Sequence, residues 1–188
     1  MDNLYRNEEI ILTMKNTGLI SLQGNLENFF FEWLGDPEIF RHMGDREIKP
    51  YTLQDAKNHI KAMQKDSFLV VAEKENFWIP VGYSRLILRP RHKIANFIVM
   101  IGDKNFRGYG HRKRATLLTL NYGFKKLGLY AIHLVVSANN KRAVHLYESV
   151  GFKHCGRRHN ARLEENKRVD EILMEFTQEM YYNSREKI

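Results

Sequence analysis

The order of periodic segments predicts a mixed α/β domain: a helical first third, a group of antiparallel strands, then helix, strand, helix and strand in alternation. Two observations carry this. Apolar residues recur at helical spacing over 26–34 and crowd the proline-free stretch 110–127, and three strand-like runs at 68–72, 79–88 and 95–101 lie between those stretches. At 188 residues, with 43% hydrophobic and 28% charged residues, the chain has globular composition and length for one domain, expected to span 1–188. Within it, 1–66 reads as a helical part, 67–152 as the sheet-bearing core and 153–180 as C-terminal strands.

A short opening strand is expected at 10–14. Leu26, Phe29, Phe30, Trp33 and Leu34 form one helical stripe, and Gly35-Asp36-Pro37 stops it and starts a second short helix through Ile39, Phe40 and Met43. Thr52 with Asp55 three residues on has the form of a capping box, opening a helix to about Met63. Pro80 and Pro90 bound the middle strand of the three that follow. Gly128 closes the helix over 110–127. A buried strand at 132–136, a short helix over 141–150 ended by Gly151, and a late strand at 169–176 complete the order.

Thirty Lys and Arg against 22 Asp and Glu leave a formal charge of +8, which draws attention to anionic partners. The single cysteine, Cys155, excludes an internal disulfide and a multi-cysteine zinc module, and no metal is expected. Apolar runs are too short for a membrane helix, and Asp2, Arg6, Glu8 and Glu9 interrupt any signal-peptide pattern, so a cytoplasmic location is expected. Basic residues are densest over 104–114, at Lys104, Arg107, Arg112, Lys113 and Arg114, where they coincide with a glycine pattern.

That pattern is Arg107-Gly108-Tyr109-Gly110-His111-Arg112, between a strand ending at Ile101-Gly102 and the helix beginning near 110. A strand entering a helix through such a turn exposes unpaired N–H groups at the positive end of the helix dipole, where a phosphate is the natural ligand. Dinucleotide and P-loop fingerprints both fail on the residues present, and an ordinary two-glycine turn is the alternative reading. A second signal follows at Asn140-Lys141-Arg142-Ala143-Val144-His145-Leu146-Tyr147-Glu148-Ser149-Val150-Gly151-Phe152, with Asn140 able to begin the helix and Ala143, Leu146, Tyr147 and Val150 on its inner side.

The glycine turn and its helix, a strand, and then Asn-x-x-Ala-x-x-x-Tyr-x-x-x-Gly-Phe together resemble the GNAT superfamily of acetyl-CoA-dependent N-acetyltransferases. The resemblance is strongest to its branch of ribosomal-protein N-terminal and spermidine acetyltransferases. It is specific over about 95–152, continues in the strand Arg168-Val169-Asp170-Glu171-Ile172-Leu173-Met174, and reaches Asp36-Pro37-Glu38. The chain departs from the family pattern at Arg112, where a small residue is usual; a long cation there either crowds the pyrophosphate or adds a contact to it.

The resemblance implies a mostly antiparallel central sheet flanked by helices, with a splayed acetyl-CoA-binding cleft, and acetyl-CoA as co-substrate. It implies that Met100, Ile101 and Gly102 meet the pantetheine arm, that Arg107, Gly108, Tyr109, Gly110, His111, Arg112 and Lys113 hold the pyrophosphate, and that Asn140 fixes the arm or simply caps its helix. Tyr147 would protonate the leaving thiolate, for a phenol with pKa near 10 stays protonated at pH 7 yet lies close to a thiol's. An ammonium acceptor must lose a proton. Asn96 stands where many relatives have an acid on the central strand, and Glu47, with Asp45 as competitor, falls where spermidine-type relatives place an acceptor-side carboxylate. His42, His92 and His111 have suitable intrinsic pKa values but occupy no supporting position and read as exposed.

The acceptor implied is a primary amine of a small molecule or a peptide N-terminus, with homo-oligomerisation left open. The charge of +8, and Arg41, Arg46 and Lys49 beside the candidate acids, argue for an amine that is neutral or carries its own anionic group over free spermidine. Two rival readings are a non-catalytic acetyl-CoA-binding protein and a nucleic-acid-binding module; no recognition helix or aromatic RNA-binding motif supports the second.

Overall fold

A computed structural model describes residues 5–40, 50–63 and 67–185. The chain divides into two compact units, Met1–Arg85 with Ile98–Thr119 and Leu86–Phe97 with Leu120–Ile188.

The first unit opens with β1 (Leu12–Met14) and β2 (Thr17–Ser21), followed by α1 (Glu27–Gly35), α2 (Pro37–Phe40) and α3 (Leu53–Met63). It continues with β3 (Ser67–Lys74), most of β4 (Phe77–Arg89), the second half of β5 (Ile94–Ile101) and the start of α4 (His111–Lys125). The expected capping box is formed: Asp55 N–H donates to Thr52 Oγ1 at 3.1 Å, and Thr52 N–H returns to Asp55 Oδ2 at 3.0 Å. Asp36 separates α1 from α2, its carboxylate accepting from Glu38 N–H at 3.0 Å, with Pro37 supplying the fixed φ that suits a first helical residue. The stripe read from the sequence is buried, with Leu26, Phe30, Trp33 and Leu34 in one core with Leu69, Val71, Tyr83 and Met100. Phe30 stacks on Tyr83 at 5.4 Å between centroids, adding to the area both bury.

The second unit holds β6 (Ala131–Ser137), α5 (Lys141–Val150), β7 (Lys153–Glu164), β8 (Lys167–Thr177) and α6 (Gln178–Arg185), with the remainder of β4, β5 and α4. β5 and β6 pair in parallel, Ile94 with Ala131 through Asn96 with His133, and β6 then pairs antiparallel with β8. A run of rings, Phe97, Tyr147, Phe152, Phe176, Phe124 and Tyr181, forms much of its core, each 4.9 to 6.5 Å from the next.

Hydrogen bonding orders the eight strands β1-β2-β3-β4-β5-β6-β8-β7, so the sheet is mixed and mostly antiparallel, as expected. The elements β2 and α6 went unread in the sequence, and β7 was covered only as part of the C-terminal strands expected over 153–180. The opening strand begins later than expected and is followed by β2, whose first four residues are all buried and so show no alternation.

Candidate active site

In the first unit the site is built on the end of β5 and the turn that follows. Gly102 N–H donates to Val81 O on β4 at 2.8 Å, and Met100 O lies against Gly82, where a Cβ would clash. Main-chain groups alternate sides along a strand, so with Met100 O and Gly102 N–H turned toward β4, the groups of Val99 and Ile101 point the opposite way; past the strand's end Asp103 N–H also reaches Val81 O, at 3.1 Å, which turns the Gly102 carbonyl away from β4. Of the three residues expected to meet a pantetheine arm, Ile101 has both main-chain groups on the outer side of this pair and Gly102 only its carbonyl, both carbonyls accepting from Arg107, and the sequence reading passed over Val99. Gly102 has its own steric reason to be glycine: a Cβ would run into the Trp33 ring.

Beyond the strand, Asp103 accepts from Asn105 N–H and starts a single 3-10 turn, Lys104–Phe106, which leads into Arg107-Gly108-Tyr109-Gly110. Gly108 and Gly110 have φ of +86° and +80°, values that a β-branched residue cannot hold without strain. Gly110 O accepts the first bond of α4, from Arg114 N–H at 3.1 Å, leaving the amides before Arg114 without intrahelical partners. The first turn of α4 holds Arg112, Lys113 and Arg114 and no acid. Cations at the positive end of a helix dipole are unfavourable by roughly 0.3–1 kcal/mol each, a cost that an anion bound at the turn would offset. Tyr109 and Lys113 are exposed and Arg112 is half-buried.

Arg107 makes a different use of its charge. Its Nη2 donates to Asp36 Oδ2 at 2.8 Å and to Gly102 O at 2.7 Å, Nη1 donates to Glu38 Oε2 at 2.8 Å, and Nε donates to Ile101 O at 3.3 Å. The guanidinium thus ties the α1–α2 junction to the end of β5, and what Arg107 has left for a phosphate is chiefly its backbone. Burial by itself would raise the Asp36 carboxyl; the hydrogen bonds from Arg107 and Glu38 N–H and the charges of Arg107 and Lys104 outweigh it and hold it below its usual value.

His111, read from sequence as an exposed histidine, is 3% exposed. Its Nδ1 lies 2.8 Å from Thr17 Oγ1 and 3.4 Å from Arg114 Nη2, while Arg114 Nε donates to Thr17 Oγ1 at 2.7 Å. A guanidinium only donates, so Nδ1 must be the bare, accepting nitrogen, which assigns the neutral ring with its proton on Nε2. Burial and then the Arg114 charge push its pKa down, in agreement with that assignment. Arg114 Nη2 also donates to Tyr109 O at 2.8 Å, inside the glycine turn.

In the second unit the site residues stand on α5. Asn140 Oδ1 accepts from Ala143 N–H at 3.1 Å, so the side chain caps the helix, and its amide N–H groups stay available to another partner. At the other end Phe152 N–H donates to Tyr147 O and Gly151 N–H to Glu148 O, both at 3.0 Å, with Gly151 at φ +114°. This pair of bonds is a Schellman motif, and its usual apolar contact is made by the Phe152 and Tyr147 rings, 5.7 Å apart. The spacing Tyr-x-x-x-Gly-Phe is therefore one geometric unit: the helix stop sets the ring against which Tyr147 rests, and Phe97, stacked on Phe152 at 6.4 Å, meets Tyr147 edge-on at 6.5 Å.

Asn96 is exposed on β5 beside His133, and His92 is exposed. Glu47, Asp45 and His42 lie outside the described residues, as do Arg41, Arg46 and Lys49. Among the described residues no three His, Cys, Asp or Glu side chains gather as metal ligands would, and no helix is long and apolar enough to cross a membrane.

A family model for an acetyltransferase (GNAT) domain matches residues 20–153. The spermidine N(1)-acetyltransferase of Escherichia coli (strain K12) is 32% identical over 122 residues, which are 64% of this chain and 58% of that protein, so this chain spans less than two thirds of its relative's length. The Vibrio cholerae spermidine N(1)-acetyltransferase is 32% identical over 99 residues, 52% of this chain and 55% of the relative. Among solved structures, spermidine N-acetyltransferase from Vibrio cholerae in complex with CoA and spermine has a TM-score of 0.79 at 23% identity, covering 90% of this chain and 100% of that one. A GNAT family acetyltransferase from Bacillus anthracis has a TM-score of 0.77 at 18% identity, covering 89% and 98%. These two likenesses speak for the fold. The family match takes in the glycine turn, α4 and the whole of α5, the segments whose geometry is described above, and the chain belongs to the GNAT acetyltransferase family.

Proposed function

We propose that the protein is an acetyl-CoA-dependent N-acetyltransferase that acetylates a primary amine of a small molecule or a peptide N-terminus. The observation that carries this is the glycine turn: two residues at positive φ feeding a helix whose first turn holds three cations and no acid. That is a receptor for a diphosphate. The residues present fit the cofactor, since a Cβ at Gly108 would meet nothing within 4 Å and the turn is open to a ligand there. Acetyl-CoA would supply an acetyl group activated as a thioester.

The chain's own groups then divide the work. The turn amides and Arg112 and Lys113 bind the diphosphate. The N–H of Val99 or Ile101, on the side of β5 away from β4, meets the developing oxyanion. Tyr147 gives its phenolic proton to the departing thiolate, a transfer favoured by the closeness of the two pKa values. Glu47, with Asp45 as its competitor, is the carboxylate proposed to take the acceptor's proton, on the family resemblance alone. The relatives' names put polyamines among the candidate acceptors; the charge of +8 favours amines with an anionic group.

The test is release of free thiol from acetyl-CoA with spermidine, amino sugar nucleotides and N-terminal peptides, beside a calorimetric titration with CoA. Binding with turnover supports the proposal. Binding without turnover on any amine would make the protein a non-catalytic acetyl-CoA binder, and no binding at all would overturn both.

A further inference from the structure

We propose that Thr17, His111 and Arg114 form a clamp that fixes the glycine turn in its anion-receiving conformation, an inference that rests on the cofactor reading above. Tyr109 lies between Gly108 and Gly110, so both peptide bonds of its residue border on glycines and can flip at little steric cost. Across a trans peptide the C=O and the next N–H point in opposite directions. By holding Tyr109 O at 2.8 Å, Arg114 Nη2 therefore sets the direction of the Gly110 N–H, turning it away from the guanidinium. If the peptide flipped, a carbonyl would face the anion where a donor should be.

Arg114 can do this only if it is itself held. Its Nε is anchored on Thr17 Oγ1, a hydroxyl of a residue with no exposed surface, brought by β2 from 97 positions away in sequence. That hydroxyl is left one proton to give, and neutral His111 Nδ1, 2.8 Å off, is the acceptor. His111 is packed in turn edge-on against Phe106, at 5.7 Å. Arg114 Nη1 is the atom nearest to where a Gly110 Cβ would lie, so the clamp rests directly against the turn. None of the three need touch the ligand. They are positioning residues, and their effect should appear in cofactor affinity more than in the rate at saturation.

The experiment uses the full chain with Thr17→Val, Thr17→Ser and Arg114→Lys. CoA affinity is measured by calorimetry, and amide hydrogen exchange over 108–113 is measured without ligand. Loss of one hydrogen bond to a charged group corresponds to about a tenfold change. Thr17→Val and Arg114→Lys are expected to raise the CoA Kd and speed turn exchange by about that factor. Thr17→Ser, which keeps the hydroxyl and loses a methyl, should stay near the wild type in both. If Ser were as damaging as Val, Thr17 would be acting by packing and the clamp would be wrong; unchanged turn exchange in Val and Lys would overturn it as well. Exchange responding as stated in a protein that binds no CoA would leave the clamp standing and remove the cofactor reading. Should Thr17→Val fail to fold, Arg114→Lys, at a half-buried position, decides the matter alone.

Discussion

Replacing Arg107 by Met keeps an apolar stem and removes four hydrogen bonds at once. The Asp36 side chain is 6% exposed and, among the described residues, would keep Glu38 N–H at 3.0 Å and Lys104 at 3.7 Å, the latter a side chain 70% exposed. Breaking a buried ion pair by removing one partner costs about 3–5 kcal/mol, and the remaining lysine argues for the lower end. The carbonyls of Ile101 and Gly102 lose a donor each, about 1 kcal/mol apiece. The Glu38 pair, with its carboxylate 72% exposed, adds well under 1 kcal/mol. The expected loss is thus about 5 kcal/mol, or roughly 10–20 °C in Tm for a chain of this size. Urea unfolding of the ligand-free protein would measure it. The pH dependence supplies a second check. Because the folded Asp36 carboxyl lies below its unfolded value, its contribution is fully present above about pH 3.9 and is lost as pH falls through the folded pKa. The gap between wild type and Arg107→Met should therefore narrow below about pH 4. A loss under about 1 kcal/mol at pH 7, or a gap that widens in acid, would refute the account of Arg107 as the tie between the α1–α2 junction and β5.

Tyr147→Phe keeps the ring packing on Phe97 and Phe152, so CoA affinity should hold while kcat falls by about 10²–10⁴; an effect confined to KM would contradict its role as proton donor. Gly110→Val places a β-branched residue at φ +80° with Arg114 in its path, and CoA titration should show binding weakened by at least about tenfold, unchanged affinity in a folded variant counting against the turn as receptor. The folded pKa of His111 is depressed, so its contribution is present above the unfolded value of about 6.5 and lost as pH falls through the folded one; stability measured from pH 7 to 5 should decline less in His111→Asn than in the wild type.

The parts of this molecule that were legible in its sequence are those fixed by local rules. The Thr52–Asp55 capping box, the Asn140 cap and the Gly151 stop each join residues close along the chain, and α5 spans Lys141–Val150 as expected. The illegible parts are set by partners far away. Arg107 meets Asp36 across 71 positions and His111 meets Thr17 across 94, so neither the commitment of the arginine nor the burial of the histidine is written in its neighbours. The strand β2 carries no period because Thr17 through Ile20 are all buried. α6 follows β8 directly, with Gln178 N–H bonded to Tyr130 O, and no glycine or proline marks the junction. Which of Met100, Ile101 and Gly102 faces outward depends on strand parity, which the bond from Gly102 to Val81 and the approach of Met100 O to Gly82 set.

The strand β7 changes how the protein's positive charge should be understood. It ends the strand order, and of its 12 residues only Arg162 and Glu164 are even half-buried. Such an edge is a template on which another chain could add a strand, the first step of aggregation. Lys153, Arg157, Arg158 and Arg162 stud this strand, and two register breaks, between His154 and Gly156 and between Arg158 and Arg162, bend it. The arginines are balanced from behind by Asp170 and Glu171 on β8, so they add little long-range attraction for a polyanion. A strand arriving at this edge would have to strip water from those guanidiniums along an irregular line. Basic residues on this edge thus have a use apart from anion binding, since they disfavour the addition of a further strand.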